Sequence, residues 1–134
     1  MKVYTLYNGT YKRRFLLVAG CGEKDFCKWF KRRFGVDTNE DGLAGCHLEV
    51  EYKKTHEHLG VVWVGFFVPK KSSISKAFLG VLSHEILHAT ISMLEHYGVD
   101  LSDQEAVCYA FDDLYGQALS KLVPEKKKNR RPRK

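Results

Sequence analysis

The chain has 134 residues, a formal net charge of +6, 44% apolar and 28% charged residues, and four cysteines. That length supports one domain with a single packed core and no need of staples, and the composition excludes a fibrous or wholly disordered chain. No apolar run approaches the ~20 residues that span a bilayer, and Met1 to Asn8 lacks a signal-peptide core. A cytoplasmic chain with no membrane partner is expected.

The first half reads as a sheet with one helix. Val3 to Tyr7 and Tyr11 to Ala19 are β-rich runs flanking Asn8-Gly9, a hairpin-turn signal. Glu23 to Phe34 is a short amphipathic helix with Phe26, Trp29, Phe30 and Phe34 along one side, ended by Gly35. Thr38 to Gly42 is a polar loop without the ligand spacing of a calcium site. Cys46 to Tyr52 alternates as a half-buried strand, and Gly60 to Val68 is a more apolar strand stopped by Pro69. Between them His56-Glu57-His58 falls in a surface turn, where adjacent side chains diverge. Lys12-Arg13-Arg14 with Lys28, Lys31, Arg32 and Arg33 reads as the solvated side of a strand and a helix, or as part of a phosphate-binding face. Cys21, Cys27, Cys46 and Cys108 form no C-x-x-C pair, which points to reduced thiols and away from a cysteine zinc site, Cys46-His47 included.

Ser75 to Tyr97 reads as one continuous helix, SKAFLGVLSHEILHATISMLEHY, with Gly98 as its C-terminal cap. It carries His84-Glu85-Ile86-Leu87-His88, an H-E-x-x-H pattern. Residues i and i+4 share one helix face, so the two imidazoles are placed to bind one zinc ion. Glu85 follows His84 directly and is placed to take a proton from water there. Apolar residues cover most of the helix circumference, so burial is expected, and buried histidines are costly unless a metal or core partners satisfy them.

A catalytic zinc usually takes three protein ligands and keeps one open position. Ile91 and Leu94 stand where a third histidine with its glycine turn would be, and Glu95 and His96 lie about 10 Å further along the axis. The third ligand therefore comes from another element. A second helix, Asp103 to about Leu122, carries Glu105 in its first turn and Tyr109 one turn on. Glu105 is the candidate ligand, while Ser102-Asp103-Gln104-Glu105 also matches a capping box in which Glu105 only caps its own helix. Asp112 and Asp113 read as a solvated face or as partners of a histidine.

With these residues the chain resembles the zincin metallopeptidases, and the downstream glutamate makes it similar to their gluzincin branch. The stretch SHEILHATISMLEHYGVDLSDQEAVCYAFDDLYGQ also resembles small zincin-like proteins encoded by bacteriophages. The resemblance implies His84, His88 and Glu105 as zinc ligands, Glu85 as catalytic base, and a peptide or protein substrate added along an edge strand, for which either of the two later strands serves. Tyr109 stands where gluzincins often have an acid, and reads as a donor to a developing oxyanion or as a core tyrosine. If the chain is phage-encoded, its cytoplasm is the host's. The expected fold is α+β, in the order β-β-α-β-β-α-α: a small antiparallel or mixed sheet packed on the H-E-x-x-H helix and closed by the last helix.

Residues 1–124 make the expected domain and 125–134 a disordered tail. The tail holds Lys126, Lys127, Lys128, Arg130, Arg131, Arg133 and Lys134 against one acid, which accounts for the whole net charge. Such a tail reads as a non-specific grip on nucleic acid or as a solubilising terminus. Two functions follow: a zinc-dependent peptidase, or an inactive zincin-fold module that binds nucleic acid or a host protein through its tail.

Overall fold

The computed structural model describes residues 1–52, 55–65 and 75–123. Its elements are β1 (Lys2–Asn8), β2 (Arg13–Ala19), α1 (Glu23–Phe34), β3 (Gly45–Glu51), β4 (His58–Val64), α2 (Lys76–His96) and α3 (Gln104–Leu122). The expected α+β order is observed. Residues 66–68 of the expected fourth strand, and the basic tail, lie outside the described residues.

The four strands form one mixed sheet in the order β1-β2-β4-β3. β2 pairs antiparallel with β1 and parallel with β4, and β3 pairs antiparallel with β4. β2 and β4 are therefore interior. Both are almost entirely buried, as expected of strands covered on two faces. Among the described residues β3 is an edge, with one side of its backbone unpaired by the sheet.

Helices cover both faces, one layer more than a sheet on a central helix requires. Phe15, Leu17, Val62 and Val64 pack against α2 and α3 through Phe78, Leu82, Ile86, Met93 and Leu114. The alternate residues Leu16, Val18, Val61 and Trp63 pack against Phe26 and Phe30 of α1. Trp63 stacks on Phe26 with ring centroids 5.2 Å apart and donates its indole N–H to the Cys21 carbonyl at 3.2 Å. The period of two thus divides the core into two halves.

The hairpin turn differs from the expected Asn8-Gly9 pair. Asn8 ends β1 and is only 3% exposed. Its amide donates to Asp113 Oδ2 at 2.8 Å and its Oδ1 accepts from the Tyr11 N–H at 3.0 Å. That dual role ties the hairpin to α3, lengthens the turn, and leaves Lys12 in the left-handed region at φ 51°. Gly60 has a packing role: a Cβ there would lie 2.3 Å from the Phe15 ring, which covers that strand.

α2 runs for 21 residues, with Ser75 Oγ accepting from the Phe78 N–H at its start. Contrary to the sequence expectation, it is long and apolar enough, by length and mean hydropathy alone, to cross a membrane. Here its apolar stripe is the core contact of a sheet.

Candidate metal centre

α2 faces three surroundings at once. Phe78, Leu82, Ile86, Ala89 and Met93 enter the core. Val81, Glu85 and Ser92 turn toward edge strand β3. His84 and His88 are exposed, the His84 side chain at 67%. The helix is thus not buried all round, and no desolvation cost forces the histidines to find a cation.

Their mutual geometry is still specific. The two Nε2 atoms lie 3.1 Å apart, with ring centroids 4.6 Å apart and planes at 80°. One ring donates to the other, or both lone pairs turn toward a shared cation. With zinc–nitrogen distances of 2.0–2.1 Å, that separation corresponds to an angle of about 100° at the metal, within reach of a tetrahedral site. The donor pair therefore fits zinc.

Glu85 is 8% exposed, and its Oε1 lies 4.0 Å from His84 Nε2. Its stem is seated against Gly45, where an added Cβ would come within 3.1 Å of Glu85 Cγ and 2.8 Å of the Trp63 carbonyl oxygen. The carboxylate makes no hydrogen bond among the described residues. Its charge is felt next door: the Cys46 thiol is pushed up to about 12, first by burial and then by Glu85. Cys46 is accordingly a neutral thiol packed with Trp63, and Cys46 and His47 point to opposite faces of β3. All four cysteines are free.

The α2-facing side of β3 is polar. His47 Nε2 meets Glu49 Oε1 at 2.8 Å, and Ser92 Oγ on α2 donates to the same oxygen at 2.9 Å. The guanidinium of Arg13, only 3% exposed, pairs with Glu49 Oε2. Burial alone would raise the Glu49 carboxyl, but the bonds from His47, Arg13 and Ser92 outweigh it and hold it below its ordinary value. Arg13 was expected on a solvated or phosphate-binding face. It is instead a buried cation, because the bare Gly60 and the flat Phe15 ring let its side chain pass over β4 to Glu49. The network was missed, although the alternation of β3 puts His47 and Glu49 on one side.

The remaining candidates are dispersed. Asp103, not Ser102, caps α3, its side chain accepting from the Ala106 N–H at 3.1 Å. Glu105 is exposed in the first turn and makes no hydrogen bond among the described residues, so the capping box does not form. No third His, Cys, Asp or Glu joins the histidine pair among the described residues, Glu105 included. Tyr109 is 72% exposed and borders a hollow against Gly9, Thr10 and Tyr11 of the hairpin. Asp113 is engaged with Asn8 and Gln117, and Asp112 is exposed. His96 packs on His58 with centroids 4.4 Å apart, and His56 reaches Glu51 at 3.1 Å.

Searches of protein-family models, of curated proteins and of solved structures each found no match to this chain.

Proposed function

We infer that the chain is a zinc-dependent peptidase of zincin type. The observation that carries this reading is the convergence of the His84 and His88 Nε2 atoms at 3.1 Å, with the Glu85 carboxylate 4.0 Å from the nearer ring. His84 and His88 would hold the metal. Glu105, whose carboxylate is free of any capping role, would supply the third ligand from α3. Zinc, when bound, supplies Lewis acidity toward a carbonyl and toward water. Glu85 Oε1 takes the proton of the attacking water and returns it to the departing amine. Its seat against Gly45 fixes that carboxylate beside the edge strand. Of the two later strands, β3 is the one at the edge of the sheet among the described residues, and it is where an extended peptide would add. Four free thiols support a reducing, cytoplasmic setting.

The test is metal analysis with a peptide assay. Wild type is expected to hold one zinc and cleave, His84→Ala to lose the zinc, and Glu85→Gln to keep zinc and lose turnover. Folded protein that binds no zinc refutes the reading. Zinc retained without turnover favours the binding module, acting through Lys126 to Lys134.

A further inference from the structure

We propose that His58, His96 and the Glu51 carboxylate form a second cation site, at the C-terminal end of α2, for a divalent first-row metal such as zinc. His96 stands two turns beyond His88, roughly 12 Å along the helix axis, so one ion cannot serve both histidine pairs. The proposal is independent of the peptidase reading.

Three elements bring the donors together. Glu85, Ser92 and His96 follow one another at i, i+7 and i+11 on α2 and so lie along one line of the helix. That line faces the sheet. Ser92 bonds Glu49 on β3, and His96 packs on His58 at the start of β4, with ring centroids 4.4 Å apart. Tyr97 meets the His96 ring edge-on at 5.1 Å and packs in turn on Tyr11 at 5.6 Å, which braces that imidazole. Glu51 and His58 are register partners in the β3–β4 pair, so their side chains leave one face of the sheet with Cβ atoms about 5 Å apart. Two imidazoles and one carboxylate are a donor set that suits zinc rather than calcium or magnesium.

Among the described residues no three donors enclose a cation as they stand, and this set is one exchange short of doing so. His56 Nδ1 holds Glu51 Oε1 at 3.1 Å, in a pair whose side chains are 82% and 47% exposed. A contact so open to water is weak and readily given up. His56 also sits in the left-handed region at φ 55°, which residues other than glycine enter at a cost. A tetrahedral zinc with nitrogen ligands holds two imidazole centroids roughly 5 Å apart, so the His58 and His96 rings need open by only about 1 Å. His96 is exposed at the helix end, and its movement displaces no core residue. Both adjustments weaken the site, which therefore fills on added zinc, after the motif pair.

The experiment uses the full chain carrying His84→Ala and His88→Ala, both at exposed positions, so that the motif pair takes no zinc. Zinc is titrated in by calorimetry while the imidazole resonances are followed by NMR. Roughly one equivalent is expected to bind, with the His58 and His96 resonances shifting together. Adding His96→Ala or His58→Gln should weaken that zinc about tenfold or more, since each removes one of three ligands. Glu51→Gln, which keeps the side chain's shape, should weaken it about threefold or more. His96→Ala lies at an exposed helix end and serves if His58→Gln misfolds. Three results overturn the proposal: no zinc bound, an affinity that both histidine variants leave unchanged, or bound zinc that shifts other histidines and leaves His58 and His96 in place. The peptidase reading is decided separately, by the zinc that His84 and His88 hold in the wild type.

Discussion

Ser92 Oγ donates to Glu49 Oε1 at 2.9 Å, tying the motif helix to the edge strand one turn beyond His88. The same carboxylate holds Arg13, which is 3% exposed. Removing it leaves a buried guanidinium without its counter-charge. Glu49→Ala should therefore cost about 3 kcal/mol, against about 1 kcal/mol for Ser92→Ala, which removes one hydrogen bond. Urea unfolding of the two variants checks the ratio. Equal losses would mean that Arg13 finds another partner.

The same carboxylate predicts an acid response. Its folded pKa lies below the ordinary value of a glutamate carboxyl, held there by the bonds from His47, Arg13 and Ser92 against the upward push of burial. Its stabilisation is therefore fully present above pH about 4.5 and is lost as pH falls through the lower folded value. The stability gap between wild type and Glu49→Gln should be constant from pH 7 to about 5 and should narrow below that. A gap that widens on acidification would reverse the sign assigned to the network.

Much of this framework is legible in the sequence. The strand alternation, the phenylalanine stripe of α1 and the H-E-x-x-H spacing are short-range patterns, and each has a direct counterpart in the structure. The parallel pairing of β2 with β4 is not, because a strand's own residues do not reveal its neighbour. Burial of Arg13 depends on Gly60 and Glu49, distant in the chain, so an arginine in a basic run reads as solvated. The cap at Asp103 rather than Ser102 turns on a one-residue choice between two good capping residues. The histidines invert the error: an apolar helix suggested burial, yet α3 and β3 flank α2 without closing over His84 and His88.

Asp103 and Glu105 separate cap from ligand. Asp103→Ala removes the side chain that accepts from the Ala106 N–H and should cost about 1 kcal/mol while zinc affinity stays within a few-fold. Glu105→Ala should leave the metal-free protein's thermal midpoint nearly unchanged and weaken zinc at least tenfold. Calorimetric zinc titration distinguishes them. Unchanged affinity in Glu105→Ala would remove this residue from the ligand set and leave the pair with water or another donor.

Gly45 and Gly60 test whether the seat of Glu85 matters beyond packing. At Gly60 an added methyl meets the Phe15 ring in the core, so Gly60→Ala should lower stability by 1–3 kcal/mol, about the cost of overpacking. Its folded fraction should turn over normally. At Gly45 the methyl meets the Trp63 backbone oxygen at 2.8 Å, Val81 Cγ1 at 2.9 Å and Glu85 Cγ at 3.1 Å. The carbonyl belongs to the adjacent strand and cannot move cheaply, so the strain is relieved by displacing α2 and the Glu85 carboxylate. Misplacing a base by ~1 Å costs on the order of 100-fold in rate. Gly45→Ala should accordingly keep its zinc, since His84 and His88 lie on the outer side of the helix, and lose at least tenfold in kcat. If Gly45→Ala and Gly60→Ala lose equal stability and equal turnover, Glu85 is positioned by α2 alone and β3 has no part in holding the base.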